Sequence, residues 1–389
     1  MYKVYHLSVS HDVEIYLNND VKRRVVGEFY LKPITVIGGH HAARYGLTHL
    51  LYCLLDGNFV SDRDGICKLA DVDCYSGSVT LSGNYVDSKD GSEHSFIMNL
   101  SVNRHNKTIR VLSCYVDNEL IYEDMVKLSG LSKCCDLLYG ITRRFKVLYL
   151  PSIWFMLLYL AQDIDILRIV KNNLDISTGK PFKQYFTYLI NSIVHLCNLA
   201  SKRIDDISMI YSTIDEIVNE IATKYRVTSE DVERGRFRLP PVSFYDFEEL
   251  LISLHGAMAG TFSDQSFDII YSRYRRFPYP AFMALPFLTH VLVLARVATY
   301  EEPILLIIDD PDLTLNKVEK EFLANLVTYL VTDSLAGAVH SGDSNPLYVV
   351  LNTGDVGLVE SFRELDKRVI MELVMCSREG DKIVLRSLR

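Results

Sequence analysis

"ILLIIDDPDLTLNKVEKEF", residues 304–322, is the stretch on which the fold turns. Its unbroken apolar run predicts a strand buried on both faces, the kind found at the centre of a parallel sheet. The run stops at Asp309 and Asp310, continues through Pro311 and Asp312, and passes into a helical pattern. Carboxylates at the C-terminal tip of such a strand lie where α/β sheets bind their ligands. The same residues also suit a solvated acidic turn capping the next helix. The stretch alone leaves both readings open.

A second stretch, "LKPITVIGGHHAARYGLTHLLYCLL" (31–55), would supply the missing half of a nucleotide site. A strand that ends in glycines and runs into a helix is where phosphate-binding loops sit, because a helix N-terminus offers free N–H groups and a positive dipole end. Against the phosphate-loop pattern G-x-x-x-x-G-K-[ST], the chain has Gly38, four residues, then Ala43, Arg44 and Tyr45. Ala43 adds a Cβ where backbone must approach phosphate closely. Arg44 keeps the positive charge as a larger planar fork. Tyr45 replaces the small hydroxyl that would bind Mg²⁺, and its ring could fill the phosphate's space.

Composition bounds the rest. At 389 residues the chain accommodates one large domain with an insertion, or two domains. The net charge of −8 gives no global attraction to nucleic acid or anionic membrane. The eight cysteines show no CxxC pair and no zinc spacing, and suit buried reduced thiols of a cytosolic protein. The apolar runs at 147–161 and 281–298 are interrupted by Pro151, and by Pro286, His290 and Arg296. Both are expected as buried core, with no membrane span and no signal peptide.

Along the chain, the first 125 residues carry short β-type runs. KVYHLSVS and VEIYLNN read as separate strands, and SVTLSGNYV (78–86), HSFIMNLSV (94–102) and TIRVLSCYV (108–116) as an antiparallel meander. A helix is expected over 47–55. Positions 189, 193, 196, 200, 203, 207, 210, 214, 217 and 221 form a near-heptad apolar seam broken only by Arg203. Such a helix either packs on its own domain or forms a short coiled coil. After RLPPVSF (238–244) α/β character returns, with SLAGAVHSGDSNP (334–346) expected as a polar loop and VIMELVMC with KIVLRSL as a closing hairpin. The division is an N-terminal lobe (1–151), a helical insertion (152–240) and a C-terminal lobe (241–389) of one discontinuous α/β domain.

The order strand–GG–helix, meander, VLYLP, helical insert, long apolar helix, LLIIDDPDLTL and VVLNTGD resembles the ABC-class ATPase heads, among them the RecF, OLD-nuclease and SMC relatives. The most specific piece is D-D-P-D-L-T-L beside the family's D-E-P-E-x-x-L. The resemblance implies a P-loop NTPase fold: a mixed sheet with an N-terminal antiparallel meander and a helical insertion. It implies Asp309 as the Mg²⁺-side aspartate and Asp310 in place of the catalytic Glu. Pro311 and Asp312 would lie in a dimer-contacting D-loop. Gly38, Gly39, His40, His41, Ala42, Ala43, Arg44 and Tyr45 would fill the nucleotide loop. Thr353, or Asn352 in a shifted register, would stand at the switch-histidine position. The family signature before the apolar helix is replaced by YSRYRRFPYPAF (271–282).

The lysine, the Mg²⁺ hydroxyl, the loop glycines, the signature, the catalytic Glu and the switch His are thus all changed. Losing one preorganised electrostatic group typically costs ~10²–10³ in rate. The expectation is a pseudo-ATPase serving as a structural or regulatory subunit in a DNA-associated complex, in chromosome organisation, repair or defence. It would act as a homodimer or with an active ATPase relative, in the cytoplasm or at the nucleoid, and bind ATP and Mg²⁺ or no cofactor. One alternative is a slow divergent Mg-ATPase using Arg44. Another is a nucleic-acid binder independent of nucleotide, using Arg273, Arg275 and Arg276 beside aromatics. The His40–His41 pair could ligate a metal, but adjacent side chains rarely share one without further ligands.

Overall fold

Period-two alternation of apolar and polar residues makes the N-terminal part of the chain a sheet with one buried face. The computed structural model describes residues 2–17, 21–57, 59–62, 65–124, 130–152, 154, 188–189, 191–196, 198–199, 202–233, 284–342, 344–365 and 369–388. Two units are distinguished: Met1–Val147 with Tyr348–Val359 and Lys367–Arg389, and Leu148–Leu347 with Glu360–Asp366.

The first unit begins with β1 (Tyr2–Leu17), β2 (Val21–Tyr30), β3 (Ile34–Gly39), α1 (His41–Leu55), β4 (Val60–Asp62), β5 (Gly65–Leu69) and β6 (Tyr75–Asp87). It continues with β7 (Glu93–Asn103), β8 (Thr108–Val116), β9 (Glu119–Glu123) and α2 (Leu131–Thr142). The chain later returns to it with β12 (Leu347–Thr353), β13 (Met371–Glu379) and β14 (Lys382–Ser387). The strand order is β12-β3-β13-β14-β2-β1-β6-β7-β8-β5-β4, with β9 on β8. β3 is parallel to both β12 and β13, whereas β6, β7 and β8 form an antiparallel meander. The unit is therefore a mixed α/β layer around a large mixed sheet.

Two sequence expectations are corrected in this unit. KVYHLSVS and VEIYLNN belong to one strand, β1, which pairs with β6 from Tyr2 to Ile15 across one irregularity between Val4 and His6. The polar Asp12 does not end the strand, because it pairs with Arg24 of β2. Helix α1 begins at His41, six residues before the expected start at Leu47. Its C-terminal end has no basic residue in its own last turn, and the buried Lys68 of β5 donates from Nζ to the carbonyls of Cys53 and Asp56 instead. A cation there completes the orphan carbonyls and opposes the helix dipole.

The second unit contains Leu148 to Leu150 of β10 (Lys146–Leu150), α3 (Ile204–Lys224), α4 (Ser229–Glu233), α5 (Ala284–Ala298), β11 (Ile304–Asp309) and α6 (Lys317–Ala336). Every residue of α5 is buried, as expected for the 281–298 run. The buried Arg296 of α5 is satisfied by Asp333 at 2.7 Å and the Thr299 hydroxyl at 3.0 Å. Among the described residues one helix, Lys317–His340, has the length and apolar composition to cross a membrane, and half of its apolar window is buried inside the protein.

Here too the structure departs from the sequence reading. The seam residues Leu189, Ile193, Leu196, Ile207, Ile210, Ile214 and Ile221 are buried, and α3 packs against α5 and α6. The helical run is interrupted at Lys202 and Arg203, so no single helix carries the whole seam. The expected loop after Ser334 remains helical through Ala336 and then makes one π-helical turn, Gly337–Ser341. That turn closes when the left-handed Gly342 donates its N–H to the Gly337 carbonyl at 2.9 Å.

Candidate functional site

In the second unit, the apolar run of β11 delivers its terminal aspartate into the interior. All six residues of β11 are buried, and Asp309 is 0% exposed. Buried carboxylates need donors. Asp309 has one in the neighbouring strand β10: the Tyr149 hydroxyl donates to its Oδ2 at 2.5 Å. Its backbone carbonyl accepts from Trp154 Nε1 at 2.8 Å. Trp154 is fully buried and stacks on Phe287 of α5, with ring centroids 5.6 Å apart and planes 1° from parallel. Ser192 Oγ accepts the Tyr149 N–H at 2.9 Å, and its own hydroxyl faces the carbonyls of Tyr188 at 2.8 Å and Tyr149 at 3.2 Å. The tip of β11 is thus held by a tyrosine, a tryptophan and a serine that sequence reasoning did not single out.

Asp310 follows in the left-handed region at φ +48°, only 9% exposed. Aspartate tolerates this conformation better than most side chains, at a cost of about 1 kcal/mol. Its carbonyl accepts the Leu313 N–H at 3.2 Å, and that of Asp312 accepts Leu315 N–H at 3.0 Å, so Pro311 and Asp312 sit in a tight double turn. Helix α6 is capped by neither aspartate. Asn316 is its N-cap, with the side chain accepting Glu319 N–H at 3.0 Å and the Glu319 carboxylate accepting Asn316 N–H at 2.7 Å. The acidic turn is therefore not explained by helix capping.

In the first unit, β3 passes into α1 through a single residue, His40. Gly38 and Gly39 face β13: a Cβ on Gly38 would lie 2.7 Å from Met375 Sδ and 2.9 Å from Val359 Cγ2. Gly39 has φ +102°, and its Cβ would meet the Cys376 carbonyl oxygen at 2.2 Å. The same carbonyl accepts the His40 N–H at 3.0 Å. Packing against β13, and for Gly38 also against Val359, thus accounts for both glycines. The backbone from His41 to Tyr45 is helical and their side chains lie outside the described set. Gly38 to Tyr45 is accordingly a strand end and a first helical turn, with no open loop between them.

Thr353 ends β12 opposite Gly38 and is fully buried; its Oγ1 accepts the Asp355 N–H at 3.0 Å. Asn352, also buried, reaches from Nδ2 toward Thr48 Oγ1 of α1 at 3.5 Å. Arg273, Arg275 and Arg276 lie outside the described residues. Among the described residues, no group of three or more His, Cys, Asp or Glu side chains is placed to hold a metal.

A phosphate cradle needs successive loop N–H groups turned toward one point, and the single linking residue, His40, already gives its N–H to Cys376. The Asp309 carboxylate, fully buried, already accepts the Tyr149 hydroxyl at Oδ2.

No protein-family model matches the sequence, and no curated protein is a sequence match. Over nearly their whole lengths the chain and several solved SMC heads are similar. The SMC head domain from Thermotoga maritima is 9% identical, with 100% of this chain and 99% of that chain covered and a TM-score of 0.34. The Smc head with an extended coiled coil bound to the C-terminal domain of ScpA, from Pyrococcus furiosus, is 12% identical, with coverage of 100% and 96% and a TM-score of 0.34. An SmcHead bound to the C-winged helix domain of ScpA is 11% identical, with coverage of 99% and 97% and a TM-score of 0.36. At such values the likeness assigns neither activity nor partner.

Proposed function

We propose that this protein is a pseudo-ATPase of ABC-head type: a structural or regulatory subunit that has kept the strand plan of a nucleotide-hydrolysing domain and given up efficient hydrolysis. The observation that supports this most is the β3–α1 junction. One residue separates strand from helix, and the glycines that would suggest a phosphate loop are already required by β13. The chain acts by associating with itself or with an active relative. Its DNA-associated setting rests on the sequence resemblance, since fold by itself does not fix function.

A titration with ATP, with and without Mg²⁺, followed by phosphate-release measurements on the full chain, tests the reading. The expected result is no saturable binding up to about 1 mM, a free energy weaker than about −4 kcal/mol, and no release above background. ATP turnover that disappears in Asp309→Ala would overturn it in favour of a divergent Mg-ATPase. That second reading draws on one observation: the Asp309–Asp312 turn is not needed to cap α6.

A further inference from the structure

We propose that Ser92, His94 and Asp117 form a surface acyl-transfer centre, in which Ser92 takes the acyl group of a neutral aryl ester and passes it to water. Ser92 is the last residue of the β6–β7 turn, and Asp117 the first of the β8–β9 turn. Ser92 Oγ lies 2.7 Å from His94 Nε2, and His94 Nδ1 lies 2.6 Å from Asp117 Oδ2. A carboxylate at Nδ1 places the ring proton there and leaves the Nε2 lone pair facing the hydroxyl. Nucleophile, base and orienting group thus stand in hydrogen-bond series. The His94 ring rests on the buried Tyr85, with centroids 5.2 Å apart. The Asp117 carboxylate is fixed from its other side, where Oδ1 accepts the Ser95 N–H at 2.9 Å and the Ser95 hydroxyl at 3.2 Å. The hydrogen bond from His94 holds its carboxyl below the usual range. Closure of the β6–β7 turn does not explain these contacts. Its main chain closes it, with Gly91 N–H on the Asp87 carbonyl at 2.8 Å and Asp87 N–H on the Ser92 carbonyl at 2.9 Å. The His94 side chain is 26% exposed and that of Asp117 51%, so a substrate can reach the series from solvent.

Ser92 Oγ attacks the ester carbonyl carbon and forms the new C–O bond while its proton passes to His94 Nε2. The tetrahedral intermediate expels the phenol oxygen, which takes that proton, and the acyl group stays on Ser92. Water then attacks the acyl carbon, its proton passes through His94 to Ser92 Oγ, and a carboxylic acid leaves. The surroundings of Ser92 set the substrate class. Its hydroxyl also lies 2.6 Å from Asp90 Oδ1, so two acceptors share one proton and the hydroxyl must rotate toward His94 to react. The N–H of Gly91 is taken by the Asp87 carbonyl and that of Ser92 by Asp90 Oδ1 at 2.9 Å, so neither is left to receive an oxyanion. A missing oxyanion donor costs ~10²–10³ in rate. A phenolate leaving group tolerates that loss and an amine does not. Asp87, Asp90 and Glu93 outweigh Lys89 within 87–93, which favours an uncharged acyl group over an anionic one.

This activity is separate from the pseudo-ATPase reading, which stands whichever way the test falls. The full chain incubated with p-nitrophenyl acetate should release a burst of about one p-nitrophenolate per chain and carry an acetyl group on Ser92 in peptide mass maps. Ser92→Ala should abolish both. His94→Gln should slow acetylation by about 10²-fold. Asp117→Asn keeps a residue that tolerates the left-handed turn and an acceptor for Ser95. It should therefore lower kcat by about 10²-fold while KM and the thermal melt stay unchanged. Acetyl groups on lysines with Ser92 unmodified would overturn the proposal. So would a Ser92→Ala variant that releases p-nitrophenolate as fast as the parent. Parental kcat in Asp117→Asn would overturn it too, because the carboxylate would then serve the turn alone.

Discussion

The Tyr149 hydroxyl donates to Asp309 Oδ2 at 2.5 Å inside a fully buried strand tip. The carboxylate that would face a metal in a nucleotide site is engaged by a neighbour in β10. Leaving a buried acceptor short of one donor costs about 1–3 kcal/mol. Tyr149→Phe should lower stability by that amount, and Asp309→Asn in the Tyr149→Phe background should recover part of it. Urea unfolding monitored at Trp154, the only tryptophan in the chain, provides the readout. Equal stability of Tyr149→Phe and the parent would show that the hydrogen bond contributes nothing.

Gly39 separates a packing role from a ligand role. With φ +102° and the Cys376 carbonyl 2.2 Å from where its Cβ would stand, Gly39→Ala strains the backbone and pushes β3 from β13. A loss of at least about 1–3 kcal/mol is expected with no nucleotide present. Gly38→Ala should cost less, because its nearest contact is the flexible Met375 side chain. Thermal melts of both variants decide it. If Gly39→Ala melts like the parent, the glycine is not there for packing.

Strand β11 and the β6–β8 meander were legible because their signals are local: an Ile/Leu run ended by Asp-Asp-Pro, and alternating strands separated by polar turns. The start of α1 was not, because HHAAR carries no Ser, Thr, Asp or Asn at the N-cap, and His40 makes no side-chain cap bond. The π turn after Ala336 was missed because Gly337 reads as a breaker. Its lack of a side chain is instead used to admit Ser344, whose Oγ would lie 2.4 Å from a Cβ there. Tyr149 and Trp154 were read only as apolar core. That they converge on Asp309 depends on how the chain returns 155–160 positions later, and no local pattern encodes it.

Lys68 should matter to α1 more than its place in a short strand suggests. It is 5% exposed, and burial pushes its ammonium below the usual lysine range, yet it donates to two carbonyls at the helix C-terminus. Lys68→Met keeps the apolar stem and removes the donor, so it should cost about 2 kcal/mol. Amide exchange should quicken selectively in the last turn of α1, from Tyr52 to Leu55. Protection unchanged there, with stability intact, would refute the capping role.

Acid should unfold this protein through its buried histidines. Burial lowers His11, His49 and His290 from 6.5 to about 4 each. His49 gives or accepts a hydrogen bond with the Tyr75 hydroxyl at 2.8 Å, and His290 Nδ1 lies 2.6 Å from the Pro286 carbonyl. In the unfolded chain each takes up a proton near pH 6.5, whereas the folded chain keeps it neutral until about pH 4. The unfolded state therefore binds more protons across that window, and stability rises with pH through it. Read in the other direction, the melting temperature should fall steadily between pH 6.5 and 4. Replacing His49 by Gln, which retains a polar partner for Tyr75, should flatten that slope by the contribution of one group. A slope identical to the parent's would mean that His49 does not gate acid unfolding.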